Sequence, residues 1–327
     1  MDILGHLRVG ALAASAVTGS LSCGCDKNDQ TLTSPGQSST VAAAPMPPAV
    51  LVELDWLGSH RQDPKLIILD ARTAENYAAG HIDGAVSLAV ESLIDPARDH
   101  SHHIASLDKV QTVFSNAGVS MDCTVVVYDQ GEEYREASRV FYVLESHGHP
   151  HACVLNGGFR GWSKARQAVS THPFQRAHTQ FVANMQPDRM ATKLSVARAM
   201  HDPANTILLD ARSPQAYSGA VSEEAARAGH IPGAINIEAK QTLQLGEDSV
   251  CRIKYCNDLL SVYSSLPKDH KIITYCSTGR RASVSYLALR SLGYDVALYD
   301  GAWMEWASDP SLPIELSPGI TPTAAIH

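Results

Sequence analysis

In the stretch ITYCSTGRRASVSYLALRSLGY, residues 273–294, a cysteine follows an apolar β-prone run and precedes small residues, two arginines and a helical pattern. That order of residue types can make a nucleophile. Ile272, Ile273 and Thr274 supply a strand, Ser277, Thr278, Gly279, Arg280, Arg281 and Ala282 a turn, and residues 283–290 a helix with Val284, Leu287 and Leu289 available for burial. Free backbone N–H groups and the positive dipole end at a helix start favour the anionic form of a sulfur held there. Arg280 and Arg281 add positive potential, so the Cys276 thiol is expected to titrate well below the reference of about 8.5 and to react as a thiolate. A cysteine after a β-run is more often a small buried hydrophobe. Packing alone, however, does not call for Ser, Thr, Gly and two arginines directly after it.

The elements that position this turn occur twice. LIILDARTAENYAAGHIDGAVSL, residues 66–88, returns as TILLDARSPQAYSGAVSEEAARAGHIPGAINI, residues 206–237, with nine more residues between Arg212 and His230 than between Arg72 and His81. Further on, VVVYD at 125–129 matches IITYC at 272–276, and VLNGGFRGW at 154–162 matches LYDGAWMEW at 298–306. Each copy opens with a helix-like stretch, residues 51–59 and 194–201, and then gives short apolar runs bounded by turn signals. Short continuous apolar runs separated by helical patterns indicate α/β domains, each a mainly parallel sheet with helices on both faces. The expected divisions are a leader at 1–25, a tether at 26–48, one domain at 49–165, a connection at 166–189 that runs over the surface and packs the halves together, a second domain at 190–316, and a tail at 317–327.

The chain has 327 residues, 44% hydrophobic and only 18% charged, enough for two cores. Its formal charge of −8 and lack of a long basic run exclude a phosphate-reading nucleic-acid binder. At the start, a weak basic residue, Arg8, a small-residue apolar stretch at 9–21 and then Cys23 and Cys25 read as an export signal, with a lipidated cysteine as a possible membrane tether. That reading places the chain in the periplasm or anchored to a membrane. The stretch is too short to span a bilayer comfortably. Residues 26–48 are polar and then Ala/Pro-rich, the composition of a flexible linker.

Five further cysteines, Cys123, Cys153, Cys251, Cys256 and Cys276, leave at least one thiol free. Cys251 and Cys256 could be bridged in an oxidising compartment or stand as unconnected thiols. Histidines at 100, 102, 103, 147, 149 and 151 sit in loop-like sequence and read as solvated surface rather than a metal site.

Taken together, DAR…GHIPGAINI, YCSTGRRAS and YDGAWMEW resemble the rhodanese family, specifically its tandem-domain sulfurtransferases, across roughly residues 50–315. The resemblance implies that Cys276 takes a sulfane sulfur from a small anionic donor, holds it as a persulfide inside the loop at 276–281, and passes it to cyanide or a thiol, with neither metal nor organic cofactor. In the first copy Asp129 stands where Cys276 stands in the second. Its loop DQGEEYREA is two residues longer before the match resumes at Ala137, and carries Glu132, Glu133 and Glu136. That copy is expected to be silent and to wall the cleft. Asp210 and Arg212 recur as Asp70 and Arg72, which argues for a structural role, although the resemblance implies that Asp210 lies near the active cysteine. Arg227 has no basic counterpart in the first copy and could reach an anionic donor.

Cysteine phosphatases of related fold separate their cysteine and arginine by five residues; here Arg281 follows Cys276 after four, a loop sized for sulfur. Mercaptopyruvate-using relatives carry a Cys-Gly-Ser-Gly-Val-Thr loop. CSTGRR lacks that pattern and carries cations, which favours a dianion such as thiosulfate, with 3-mercaptopyruvate and a non-turnover persulfide carrier as alternatives.

Overall fold

The computed structural model describes residues 50–96, 103–223 and 227–319. The leader, Cys23, Cys25, the tether, His100, His102 and residues 320–327 of the tail lie outside the described residues.

The first half runs β1 (Leu51–Val52), α1 (Leu54–His60), β2 (Leu66–Asp70), α2 (Ala74–Ala79), β3 (His81–Ile82), β4 (Val86–Ser87), α3 (Leu107–Asn116), β5 (Thr124–Tyr128), α4 (Arg135–Ser146), β6 (Ala152–Leu155), α5 (Gly158–Lys164) and β7 (Val169–Ser170). The second runs β8 (Met190–Ala191), α6 (Lys193–Ala199), β9 (Thr206–Asp210), α7 (Pro214–Ser218), β10 (Ile235–Asn236), β11 (Leu243–Leu245), β12 (Cys251–Ile253), α8 (Cys256–Val262), β13 (Lys271–Tyr275), α9 (Arg280–Ser291), β14 (Val296–Tyr299) and α10 (Ala302–Ser308). Each half holds a five-stranded sheet, ordered β1-β6-β5-β2-β4 and β8-β14-β13-β9-β10, and every pairing in both is parallel. The two orders are the same pattern. LIILD and TVVVY are buried at every position, as strands covered by helices on both faces must be.

The register matches as well. Asp70 pairs with Tyr128 and Asp210 with Tyr275, so Asp129 and Cys276 leave their sheets at the same point. In both sheets that point lies where the strand order reverses direction, the place at which an open parallel sheet leaves a crevice beyond its strand ends.

Several local expectations shift. Leu51 and Val52 form an edge strand against Val154 and Leu155 before the first helix begins. Thr192 caps α6 through a capping box with Ser195, so that helix starts at Lys193 and stops at Ala199. The connection at 166–189 contributes β7, antiparallel to β3, and buries Phe181 edge-on against Phe114 with ring centres 5.1 Å apart. It reaches the second half where Arg189 donates to Asp295 at 3.2 Å.

His147 and His149 are buried rather than solvated: Nδ1 of His147 bonds Val143 O at 2.7 Å and Nε2 of His149 bonds Ser120 O at 3.1 Å. Loop-like sequence hid them because their polar atoms are matched by backbone carbonyls. Cys251 lies in β12 and Cys256 opens α8, as separate thiols.

The halves meet through α4 and α9. Tyr142 and Tyr286 pack edge to face with centres 5.0 Å apart, Arg290 Nη2 donates to Glu145 at 2.6 Å, and one buried apolar cluster includes residues of both helices. The β11–β12 hairpin adds a second seam: Asn156 Oδ1 accepts from Ile253 N at 2.9 Å and Tyr134 Oη donates to Cys251 O at 2.7 Å.

Candidate active site

Cys276 is the first residue beyond β13. Tyr275 fixes the strand end, since its carbonyl accepts from Ala211 N at 2.8 Å and its hydroxyl from Ile231 N at 3.2 Å. The start of α10 holds the loop from behind, with Trp303 N donating to Cys276 O at 2.8 Å and Met304 N to Ser277 O at 3.1 Å. Gly279 then turns the chain into α9 at φ +86°, a left-handed conformation that glycine adopts without the Cβ penalty. A Cβ at Gly279 would lie 3.0 Å from Arg139 Nη1, so a guanidinium of the first half sits directly against the loop.

The helix begins three residues earlier than its sequence pattern implies, which puts Arg280, Arg281 and Ala282 in its first turn. No side chain caps it. The N–H groups of that first turn therefore have no partner within the helix and stand around the loop that carries the thiol. Cys276 is 1% exposed, so the sulfur lies at the floor of its loop rather than on the surface. Thr278, Arg280 and Arg281 are the loop side chains that remain half-buried.

The first half contains an internal reference for this geometry. Asp129 is buried, and its carboxylate accepts from Gly131 N at 2.8 Å and from Ala137 N at 3.1 Å. Ala137 is the counterpart of Ala282. Thus the side chain at the cysteine's position in the first half is an anion held by the amides of its own loop. The copies agree in their supports too: Phe159 N donates to Asp129 O at 2.9 Å as Trp303 N does to Cys276 O, and Gly158 and Ala302 share φ +54°. Burial, with the nearby Glu136 charge, pushes the Asp129 carboxyl up to about 6 against the pull of those two amides.

The arginines are not open, contrary to expectation. Arg280 Nη2 donates to Glu91 at 2.9 Å and its Nη1 to Glu136 at 3.3 Å, both residues of the first half. Arg281 is bound by Glu223, with Nη1 to Oε1 at 3.0 Å and a second, shorter contact from Nη2 to Oε2. Ser277 Oγ also donates to Glu223, and Arg281 Nη2 reaches Ser277 Oγ at 2.8 Å. Burial opposes the Glu223 charge, but Arg281 and Ser277 outweigh it and hold the carboxyl below the usual carboxylate range. Burial likewise opposes the Arg281 charge, while Glu223 and then the Cys276 sulfur raise its pKa. A cleft of about 210 Å³ opens beside Arg281, lined by Glu133 and Arg135 of the first half and Glu238 and Lys240 of the second.

Two candidates take structural positions. Arg227 donates to the carbonyls of Ala307 at 2.8 Å, Asp309 at 2.7 Å and Leu312 at 3.1 Å, so its guanidinium ties down the end of α10 instead of facing a donor. The fully buried Asp210 carboxylate accepts from Arg212 Nη2 at 2.6 Å, and Arg212 Nη2 donates on to Gly229 O at 2.7 Å. Asp70, Arg72 and Gly80 repeat this arrangement at 2.6 and 2.7 Å. Arg212 also lies over the Trp303 ring, as Arg72 lies over Phe159. The pair thus makes the same contacts in both halves, whether or not a cysteine follows the neighbouring strand. Glu223 and Arg139 escape a reading of the sequence because their contacts join segments far apart in the chain; the acidic pair at 223–224 in an Ala-rich insertion is the one visible sign.

Comparison with known proteins accords with this geometry. The model of the rhodanese-like domain matches residues 53–165 and again 193–309. The chain is 31% identical over 279 residues to the 3-mercaptopyruvate sulfurtransferase of Escherichia coli K12, covering 81% of this chain and 97% of that protein. It is also 31% identical over 276 residues to the thiosulfate sulfurtransferase of Pseudomonas aeruginosa, covering 82% and 97%. The crystal structure of SseA from Escherichia coli superposes with a TM-score of 0.68 at 29% identity, covering 78% of this chain and 99% of that one. With two copies of the domain in the same parallel-sheet frame and a cysteine at one of the two equivalent strand ends, the chain belongs to the rhodanese-like family and is a tandem-domain sulfurtransferase.

Proposed function

We propose that the chain moves a sulfane sulfur from thiosulfate to cyanide or a thiol through a persulfide on Cys276. The observation that carries the reading is the silent twin: Asp129, at the position of Cys276, is an anion bonded by two loop amides, which supports an anion-holding role for the same loop in the second half. In the first step the Cys276 thiolate attacks the outer sulfur of thiosulfate, the S–S bond breaks, and sulfite leaves with the bonding pair. In the second, cyanide attacks the terminal sulfur, thiocyanate departs, and the thiolate is restored. Electrons and atoms balance without a further oxidant. The first-turn amides of α9 stabilise the negative sulfur in both states.

A specific contact favours a second donor. Ser277 and Arg281 already hold a carboxylate, that of Glu223, which is the head group 3-mercaptopyruvate would present. The relatives named for each donor match this chain equally well, at 31% identity.

Steady-state thiocyanate formation by the full chain, with thiosulfate and mercaptopyruvate at matched concentrations, tests both. Thiosulfate is expected to give the higher kcat/KM, and Cys276→Ser to lower it by at least about a thousandfold with either donor. Turnover that survives this change removes Cys276 from the chemistry. One stoichiometric transfer followed by a stall would make the protein a sulfur carrier.

A further inference from the structure

The loop's side-chain donors already hold an anion, and that anion belongs to the chain itself. Glu223 lies in the segment that lengthens the second copy between Arg212 and His230. Its carboxylate takes both terminal nitrogens of Arg281 and the Ser277 hydroxyl, with Arg281 Nη1 at 3.0 Å from Oε1. Ser277 directly follows Cys276 and Arg281 closes the loop, so these donors stand beside the reacting sulfur. The side chains of Arg281 and Glu223 are 25% and 21% exposed, which leaves their attraction only partly screened by water. A guanidinium fork with an added hydroxyl recognises two oxygens of one anion, whether a carboxylate or a pair of sulfonate oxygens. Among the described residues the first copy has no equivalent occupant. Its shorter segment lacks this glutamate, and its loop is filled from within by Asp129.

We propose that Glu223 is an intramolecular occupant of the seat for the donor's anionic head, and so a specificity-determining residue. An anionic donor binds by displacing the carboxylate from Arg281 and Ser277, and its KM records that competition. The proposal rests on reading Cys276 as the sulfur-accepting nucleophile. It adds that the loop's cationic potential is countered until a ligand with two suitably spaced oxygens replaces the native one.

The test uses Glu223→Gln, which keeps the shape and removes the charge, and Glu223→Ala, which vacates the seat, both in the full chain. Thiocyanate formation is followed over a thiosulfate series, with sulfite, the product of the first step, added as an inhibitor. Both variants are expected to lower the KM for thiosulfate by about tenfold and to tighten sulfite inhibition by a similar factor, with the gain lying in KM rather than kcat. An unchanged or raised KM in both variants would mean that Glu223 only braces Arg281, and overturns the proposal. If the wild-type protein makes no thiocyanate from any donor, the sulfur-transfer reading fails separately. Occupancy of the seat is then decided by the sulfite concentration that protects Cys276 from alkylation. That concentration falls about tenfold in Glu223→Gln if the seat is occupied as described, and equal protection in both proteins sinks the idea.

Discussion

Cys276 and Asp129 are one position with two chemistries, and the difference is measurable. Asp129 has a folded pKa of about 6, raised by burial and by Glu136, above the reference of about 3.9 for a free aspartate. The folded state therefore keeps a proton that the unfolded chain releases between roughly pH 4 and pH 6, and stability from this group falls as pH rises through that window. Asp129→Asn has no such slope, so relative to wild type it should gain up to about 3 kcal/mol between pH 4 and pH 7. Urea midpoints at the two pH values check this, and a wild-type-to-variant difference that stays constant with pH would contradict a buried, destabilised carboxyl. At this scale the sequence was informative about the nucleophile and poor about its surroundings. Cys276 announces itself through its neighbours along the chain. The partners of Arg280 and Arg281 are Glu91, Glu136 and Glu223, at separations that spacing cannot resolve.

The strand, loop and helix that carry the thiol were largely legible as elements, because the apolar run of β13 and the burial of Val284, Leu287 and Leu289 follow simple periodicity. The start of α9 was not. The pattern places it after the arginines, whereas Gly279 supplies the left-handed turn before them and Arg280, Arg281 and Ala282 are good helix formers. This glycine carries a prediction. In Gly279→Ala a non-glycine residue is forced to φ +86° with its Cβ 3.0 Å from Arg139, at a cost of roughly 1–2 kcal/mol before any rearrangement. Thiocyanate turnover should fall about tenfold or more as the first-turn amides shift, with a lowered thermal midpoint. Full activity with a lowered midpoint would separate loop geometry from catalysis. The small edge strand β1 was misread as the start of a helix because two apolar residues hold no period of their own, and β8, ahead of the helix-like stretch at 194–201, was not anticipated. At the place of the β11–β12 hairpin the first half shows an isolated antiparallel bridge, Ile94 with Ile104, among its described residues, and neither announced itself in the sequence.

Across the whole molecule, the duplication was the most legible feature, since offset motifs imply two like sheets. How those sheets meet was not, because α4 and α9 look like ordinary covering helices until their outer faces are seen to be buried in a shared cluster. The seam includes an ion pair between the fully buried Arg139 of the first half and the partly exposed Asp300 of the second. Burial alone would raise the Asp300 pKa, but Arg139, His103 and the Ile104 amide together hold it down at about 2. With the folded value below the usual 3.8, the stability this group supplies is complete above that pH and is lost as the pH falls toward 2. Arg139→Met would leave the carboxylate in the seam without its main counter-charge, at a cost of about 3–5 kcal/mol. Calorimetry at neutral pH should show the lower midpoint, and acid unfolding should begin at higher pH than in wild type. A midpoint within about 1 kcal/mol of wild type would mean that water or His103 satisfies Asp300 instead.

That shared helix contact also limits how the protein can be cut down. The second half, excised by itself, would carry Tyr286 and its apolar neighbours on a bare flank, and Arg280 would lose both of its acidic anchors across the divide. The first half, whose own Cys123 and Cys153 are buried away from the loop at Asp129, is therefore no passenger. It covers that flank and anchors Arg280, so a copy with aspartate at the cysteine's position still contributes to the fold of its twin.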